Sequence, residues 1–144
     1  MFSKILLATD GSDHALASAK VAATLAKKFS ADLIVVTIFA LPTSVRPFPP
    51  IAGLDLDVDK AAVNKGQKDI LARTGRVLDA QKVSYTPWME IGNPAATIIR
   101  VAEEEKCDLI VLGSRGLGGV MRFLLGSVSD AVVHHAHCPV LIVR

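Results

Sequence analysis

The chain has no apolar run long enough to cross a membrane. Hydrophobic residues make up 51% of it, yet its longest stretches are strand-length, well short of the ~18 residues a spanning helix needs. It lacks a basic segment followed by an apolar one at its start, since Met1-Phe2-Ser3-Lys4 runs directly into Ile5-Leu6-Leu7-Ala8. A soluble protein is expected. Cysteine is scarce: Cys107 and Cys138 lie far apart and form no C-x-x-C pair, which argues against a disulfide scaffold and for a reducing, cytoplasmic setting. No cluster of Lys or Arg is dense enough for a nucleic-acid footprint, and the formal charge of +2 is small for 144 residues. Neither nucleic acid nor a membrane is an expected partner. Two standard phosphate-binding signatures are also missing. There is no G-x-x-x-x-G-K-[ST] and no G-x-G-x-x-G after the first strand, and Gly116-Leu117-Gly118 lacks a third glycine at the right spacing.

What the chain does have is alternation. Apolar runs alternate with helical patterns across residues 1–144, a single domain's worth of sequence, and this is the mark of a parallel sheet covered by helices on both faces. Strands are expected at 4–9, 33–39, 84–90, 109–112 and 140–143, the second of them central because it is nearly all apolar. After the first strand, Asp10-Gly11-Ser12 is a turn and cap into a helix whose inner face carries Ser18, Ala22, Leu25 and Phe29, widened by Val21 and Ala26. Pro42, Pro47, Pro49 and Pro50 make 40–53 an irregular loop. A mostly polar helix is expected over 54–81, with Ile70, Thr74, Val77 and Gln81 inward and a possible kink at Gly66 or Gly75. Asn93-Pro94 reads as N-cap and first residue of a further helix, with Ile98, Ile99 and Ala102 inward and Glu103-Glu104-Glu105 in solvent.

The most informative stretch is Gly113-Ser114-Arg115-Gly116, nine further residues, then Gly126-Ser127. It joins a buried strand to a helix expected over 127–135. A phosphate needs backbone N–H groups aimed at it without side chains in the way, which glycines and a helix N-terminus supply. Ser127 reads as the N-cap with Asp130 in capping-box position, and Gly126 is expected at positive φ. In an open parallel sheet, ligands bind beyond the carboxyl ends of the strands where the winding reverses. With strand order 3-2-1-4-5, Asp10 and the glycine loop become neighbours there. Asp10 can bind a hydroxyl, hold a metal through water, or cap the next helix.

Ile5-Leu6-Leu7-Ala8-Thr9-Asp10-Gly11-Ser12, Ile91-Gly92-Asn93-Pro94, the Gly113-x2-Gly116-x9-Gly126-Ser127 motif and the Cys138-Pro139-Val140-Leu141-Ile142-Val143 ending together resemble the universal stress protein family, specifically its ATP-binding branch. The likeness covers essentially the whole chain. It implies a three-layer Rossmann-like fold of the adenine nucleotide alpha hydrolase-like kind, with a five-stranded parallel sheet. It also implies a homodimer joined through the last strands, and ATP, ADP or AMP as ligand with Mg2+ held mainly through the phosphates. By the same resemblance, Ala8, Thr9 and Asp10 form the ribose and metal side, and Ile38 meets adenine through its backbone. Leu112 and Gly113 lie under the ribose, and Gly116, Gly126, Ser127, Val128 and Ser129 surround the phosphates. Arg115 either screens phosphate charge or stands in solvent.

Other constellations lead less far. His134, His135, His137 and Cys138 look like metal ligands as letters, but adjacent helical residues point about 100° apart, and imidazoles near a helix C-terminus are stable there without a metal. Trp88 and Met89 read as packing. A receiver-like phosphoacceptor would want an Asp where Glu90 stands. A hydrolase would need a positioned water, a base and charge compensation, and the loop has no lysine. The sequence therefore favours a nucleotide-binding regulatory module, with slow ATP hydrolysis or nucleotidyl transfer as the alternative.

Overall fold

A computed structural model describes residues 1–41, 59–115 and 125–144. Within them the chain runs β1 (Lys4–Ala8), α1 (Asp13–Phe29), β2 (Asp32–Ala40), α2 (Lys60–Ala80), β3 (Thr86–Gly92), α3 (Pro94–Glu104), β4 (Leu109–Gly113), α4 (Ser127–His135) and β5 (Val140–Val143). All pairings are parallel, in the order β3-β2-β1-β4-β5. The expected architecture and strand order are therefore present. β2 lies inside the sheet between β1 and β3 and is buried on both faces over residues 33–37, as expected.

Helices α1 and α2 cover one face around Ile5, Leu7, Val35 and Val111, while α3 and α4 cover the other around Leu6, Val36, Ile110 and Leu112. The alternation of these neighbours along each strand is the period-2 geometry of a doubly covered sheet. α1 turns its small residues inward: Ala15, Ser18, Ala19, Ala22, Ala23 and Ala26 are buried. Leu25 and Phe29 are only half-buried, because side chains without bulk allow the closer approach of helix to sheet. The Phe29 ring meets Phe2 edge-on at 5.3 Å at the rim.

α2 departs further from expectation. It is one helix through both Gly66 and Gly75, N-capped by Asp59, whose Oδ1 accepts from the Ala61 and Ala62 amides. The expected start at 54–58 and the proline-rich segment 42–53 lie outside the described residues. Its buried positions are Val63, Gln67, Thr74, Gly75 and Leu78, so only Thr74 of the expected stripe is fully inside. Gln67 is inward because its amide donates to the Glu90 and Thr37 carbonyls at the strand ends, 2.7 and 3.3 Å away. Gly75 is inward because the Tyr85 phenol occupies the place of a side chain there. β3 starts and ends two residues later than expected, its pairing with β2 running from Thr86 to Gly92. Asn93 caps α3 as expected, accepting from the Ala96 amide at 3.0 Å. Inward on α3 are Thr97, Ile98, Val101 and Ala102, with Ile99 half-buried.

Candidate functional site

At the carboxyl end of β1 the Thr9 amide donates to the Val36 carbonyl at 2.9 Å, extending the ladder one residue past the strand. The chain then turns sharply. Gly11 has φ +76, and a Cβ there would come within 3.3 Å of the Ile70 side chain, so both backbone and space require glycine. Asp10 Oδ1 accepts from the Ser12 amide at 3.0 Å, and Ser12 Oγ accepts from the Ala15 amide at 3.2 Å. The cap of α1 is thus Ser12, and Asp10 braces the turn that presents it.

At the end of β4, Gly113 lets α1 pass close by: a Cβ would lie 3.1 Å from the His14 backbone. Ser114 continues the pairing with β5 through its amide and the Val143 carbonyl, 2.9 Å apart. The Gly126 amide returns to the Ser114 carbonyl at 2.7 Å. Ser129 Oγ shares its proton between the Ser114 and Gly126 carbonyls, each 3.0 Å away. These bonds fasten the two ends of the glycine loop together. A Cβ on Gly126 would sit 3.2 Å from the Ser114 carbonyl oxygen.

The N-cap of α4 is Gly126, at φ −62 and ψ 157, with Ser127 as the first helical residue. Both expectations about this cap are corrected. Ser127 does not supply a capping hydroxyl, and Gly126 is needed for close approach to Ser114 rather than for a positive φ. The consequence is electrostatic. Side chains of Ser12, Asp59 and Asn93 accept from first-turn amides of α1, α2 and α3, whereas α4 has no side-chain cap bond. Among the described residues no side chain accepts from its first-turn N–H groups, and its amino end carries the partial positive charge of a helix start.

That end opens on a cavity of about 580 Å³. Ala8, Thr9, Asp10, Ile38, Leu112, Gly113, Arg115, Gly126, Ser127, Val128 and Ser129 all line it, while Gly116 lies outside the described residues. Ala15, Val36, Ala40, Pro94, Ile98 and Leu125 line it as well, and the sequence reading assigned none of them to the site. Period-2 geometry was the available signal for two of them, since Val36 and Ala40 share the face of Ile38. Ile98 was already legible as inward on a helix that starts at the same sheet end. The wall is mostly apolar, with polar groups gathered at Asp10 and the α4 end, a distribution that suits a ligand with a flat apolar part and an anionic part.

The other constellations are committed elsewhere. Glu90 accepts from the Trp88 indole at 2.8 Å and pairs with Arg100 at 3.1 Å. The Trp88 hydrogen bond first, then Arg100, holds its carboxyl below the usual carboxylate range against the effect of burial. The histidines diverge: His134 Nδ1 is 2.8 Å from the Asp130 carbonyl, and His137 Nε2 is 2.7 Å from Glu103. Among the described residues no three His, Cys, Asp or Glu side chains converge on a metal-sized space. Both cysteines are free, and burial pushes the Cys107 thiol up to about 11 and the Cys138 thiol upward too. Neither is poised as a nucleophile.

A doubly wound α/β domain with a ligand-sized crevice at its switch point is the class that fold and cavity define. The sequence profile of the universal stress protein family matches residues 1–144, and the chain belongs to that family. A universal stress protein of Thermus aquaticus is 40% identical over 149 residues, covering 100% of both chains. A solved universal stress protein in complex with cAMP is 26% identical, with TM-score 0.74 over 99% of this chain and 97% of its own. An Archaeoglobus fulgidus family member in complex with dAMP shares the fold at 22% identity, TM-score 0.70, over 100% of this chain and 98% of its own. Among the described residues no helix is long and apolar enough to cross a membrane.

Proposed function

We propose that this chain is an adenine-nucleotide-binding regulatory module of the stress-response type, a single domain that binds ATP in the cavity at the carboxyl ends of β1 and β4 and acts in the cytoplasm as a homodimer. One observation carries the reading: the only described helix without a side-chain cap has its amino end, Gly126 to Ser129, lining a cavity of about 580 Å³ that Gly113 also lines. An anionic group seated there satisfies the free amides and meets the helix dipole. The solved family member in complex with cAMP supports an adenine nucleotide as that anion's carrier.

In this reading Val36, Ile38 and Ala40 offer the base an apolar wall, with Ile38 contributing its backbone. Leu112 and Gly113 underlie the ribose, and Ala8, Thr9 and Asp10 flank its hydroxyls. Gly116, Gly126, Ser127, Val128 and Ser129 surround the phosphates, with Arg115 beside them. Because the Ser129 hydroxyl is engaged within the loop, Ser129 serves through its backbone amide. Among the described residues Asp10 is the single carboxylate lining the cavity, which fits Mg2+ carried mainly by the phosphates rather than by a protein cage.

The dimer follows from β5, an edge strand whose four residues, all apolar, are only half-buried. Pairing with its two-fold mate removes that edge. Sedimentation should give a dimer at micromolar concentration; a monomer unchanged by ATP would contradict it. For the ligand, mass spectrometry of small molecules released from gently purified protein should detect an adenine nucleotide in stoichiometric amount. Protein that emerges empty and takes up none when offered Mg-ATP would refute the reading.

A further inference from the structure

We propose that Thr74, on α2 and outside the cavity, is a positioning residue for Asp10; the inference rests on the nucleotide-site reading above. Thr74 Oγ1 lies 3.0 Å from the Ile70 carbonyl and 2.9 Å from Thr9 Oγ1, and the Gly11 amide lies 3.2 Å from Thr9 Oγ1. Each hydroxyl has one proton to give. The Ile70 carbonyl can only accept, so it takes the proton of Thr74, and the proton between the two threonines is that of Thr9. The Thr9 oxygen is then free to accept from Gly11. All three bonds are made only in this direction, from Gly11 through Thr9 and Thr74 to the backbone of α2.

Burial gives the chain its force. Thr74 is 0% and Thr9 6% exposed, so water is a poor substitute for either partner. The Thr9 amide is already tied to β2, and the space beside Gly11 is closed by Ile70. Asp10 therefore sits between Thr9, which α2 holds by its hydroxyl, and Gly11, whose amide is held by that same Thr9 hydroxyl. Its carboxylate is aimed by a helix on the opposite face of the sheet from α3 and α4. Remove the Thr74 oxygen and Thr9 Oγ1 loses the bond that fixes its side chain against α2, so the Thr9 rotamer is no longer pinned and its hold on the Gly11 amide loosens, and with it the turn.

Calorimetric titration with Mg-ATP of wild type, Thr74→Val and Thr74→Ser, each also in an Asp10→Ala background, tests this. Thr74→Val should weaken binding about tenfold, the size of effect that loss of one buried hydrogen bond produces. Thr74→Ser should restore it. In the Asp10→Ala background Thr74→Val should change affinity less than about twofold, because the group it aims is gone. Equal losses in both backgrounds, as a merely structural Thr74 would produce, overturn the proposal. Amide exchange in the wild type provides a check that needs no variant: Gly11 should be protected, and exchange at an open-loop rate overturns the chain. If wild type binds and Asp10→Ala weakens it but Thr74→Val does not, only the positioning role fails. If wild type binds no nucleotide, the site reading fails and takes the proposal with it.

Discussion

The two ends of the sheet handle their polar groups in opposite ways. At the amino end, Asp108 accepts from the Ser3 amide, the Ser3 hydroxyl and the Lys4 amide at 2.8, 2.7 and 3.1 Å, tying the start of β4 to the start of β1. Lys4 adds an ion pair to Glu105 at 3.6 Å. A groove of about 510 Å³ exists there too, but charges of both signs line it, among them Lys27, Asp32, Lys82 and Glu105. At the carboxyl end, Asp10 spends one described oxygen contact on Ser12, and among the described residues the α4 amides have no side-chain partner. Among the described residues, one end satisfies itself, while the other leaves amides without a described side-chain partner. Substitutions at the two ends should therefore separate stability from binding.

The largest effect belongs to Gly126→Val. The backbone at Gly126 lies in the extended region that valine accepts, and the close contact with the Ser114 carbonyl calls for a local shift at the loop ends rather than in the sheet, so the fold should survive. The side chain would press on the Ser114 carbonyl, Arg115 Cα and Ser129 Oγ and displace the loop ends that present the α4 amides. Calorimetry should detect no Mg-ATP binding while circular dichroism stays that of the wild type.

Asp108→Ala should do the reverse, lowering stability by about 1 kcal/mol for a partly exposed set of hydrogen bonds and leaving nucleotide affinity unchanged. Burial raises the Asp108 carboxyl, but the bonds from Ser3 and Lys4 outweigh it and hold it below the usual range. A depressed folded value means the stabilisation is present at neutral pH and lost as the pH falls below about 4 and through the folded value. The melting-temperature gap between wild type and Asp108→Ala should narrow over that window. A gap independent of pH would show that the carboxylate charge is not what binds the two strands.

Ser127→Ala should have the smallest effect. Ser127 is the first helical residue rather than the cap, so thermal unfolding should move by less than about 0.5 kcal/mol. Mg-ATP affinity should fall only a few-fold for the loss of one hydroxyl. A loss as large as that of Gly126→Val would shift the weight of phosphate binding from backbone to side chain.

The same contrast explains what the sequence disclosed. Strands β4 and β5 and helix α4 were legible because their periodicity is local and their ends are marked by Gly and Pro. The glycine loop announced a site because backbone exposure has a composition. Thr74 is inward as expected, but the rest of the α2 stripe was misread because Gln67 is a buried polar residue whose partners, the Thr37 and Glu90 carbonyls, lie far away in sequence; no hydrophobic pattern marks it. Gly66 and Gly75 look alike as letters, yet nothing lies within 4 Å of a Cβ at Gly66, while Tyr85 fills that place at Gly75. The α4 cap failed for a related reason: Ser127 has capping chemistry, but the return of Gly126 to Ser114 sets the helix start one residue earlier.

A titration of isotope-labelled protein with Mg-ATP, followed amide by amide in nitrogen–proton correlation spectra, tests the account most directly. It predicts saturable shifts at Asp10, Gly113, Arg115 and the amides of Gly126, Ser127, Val128 and Ser129, with Ser3, Lys4 and Asp108 unmoved. Saturable shifts centred on Ser3, Lys4 and Asp108, or none anywhere at millimolar nucleotide, would contradict it.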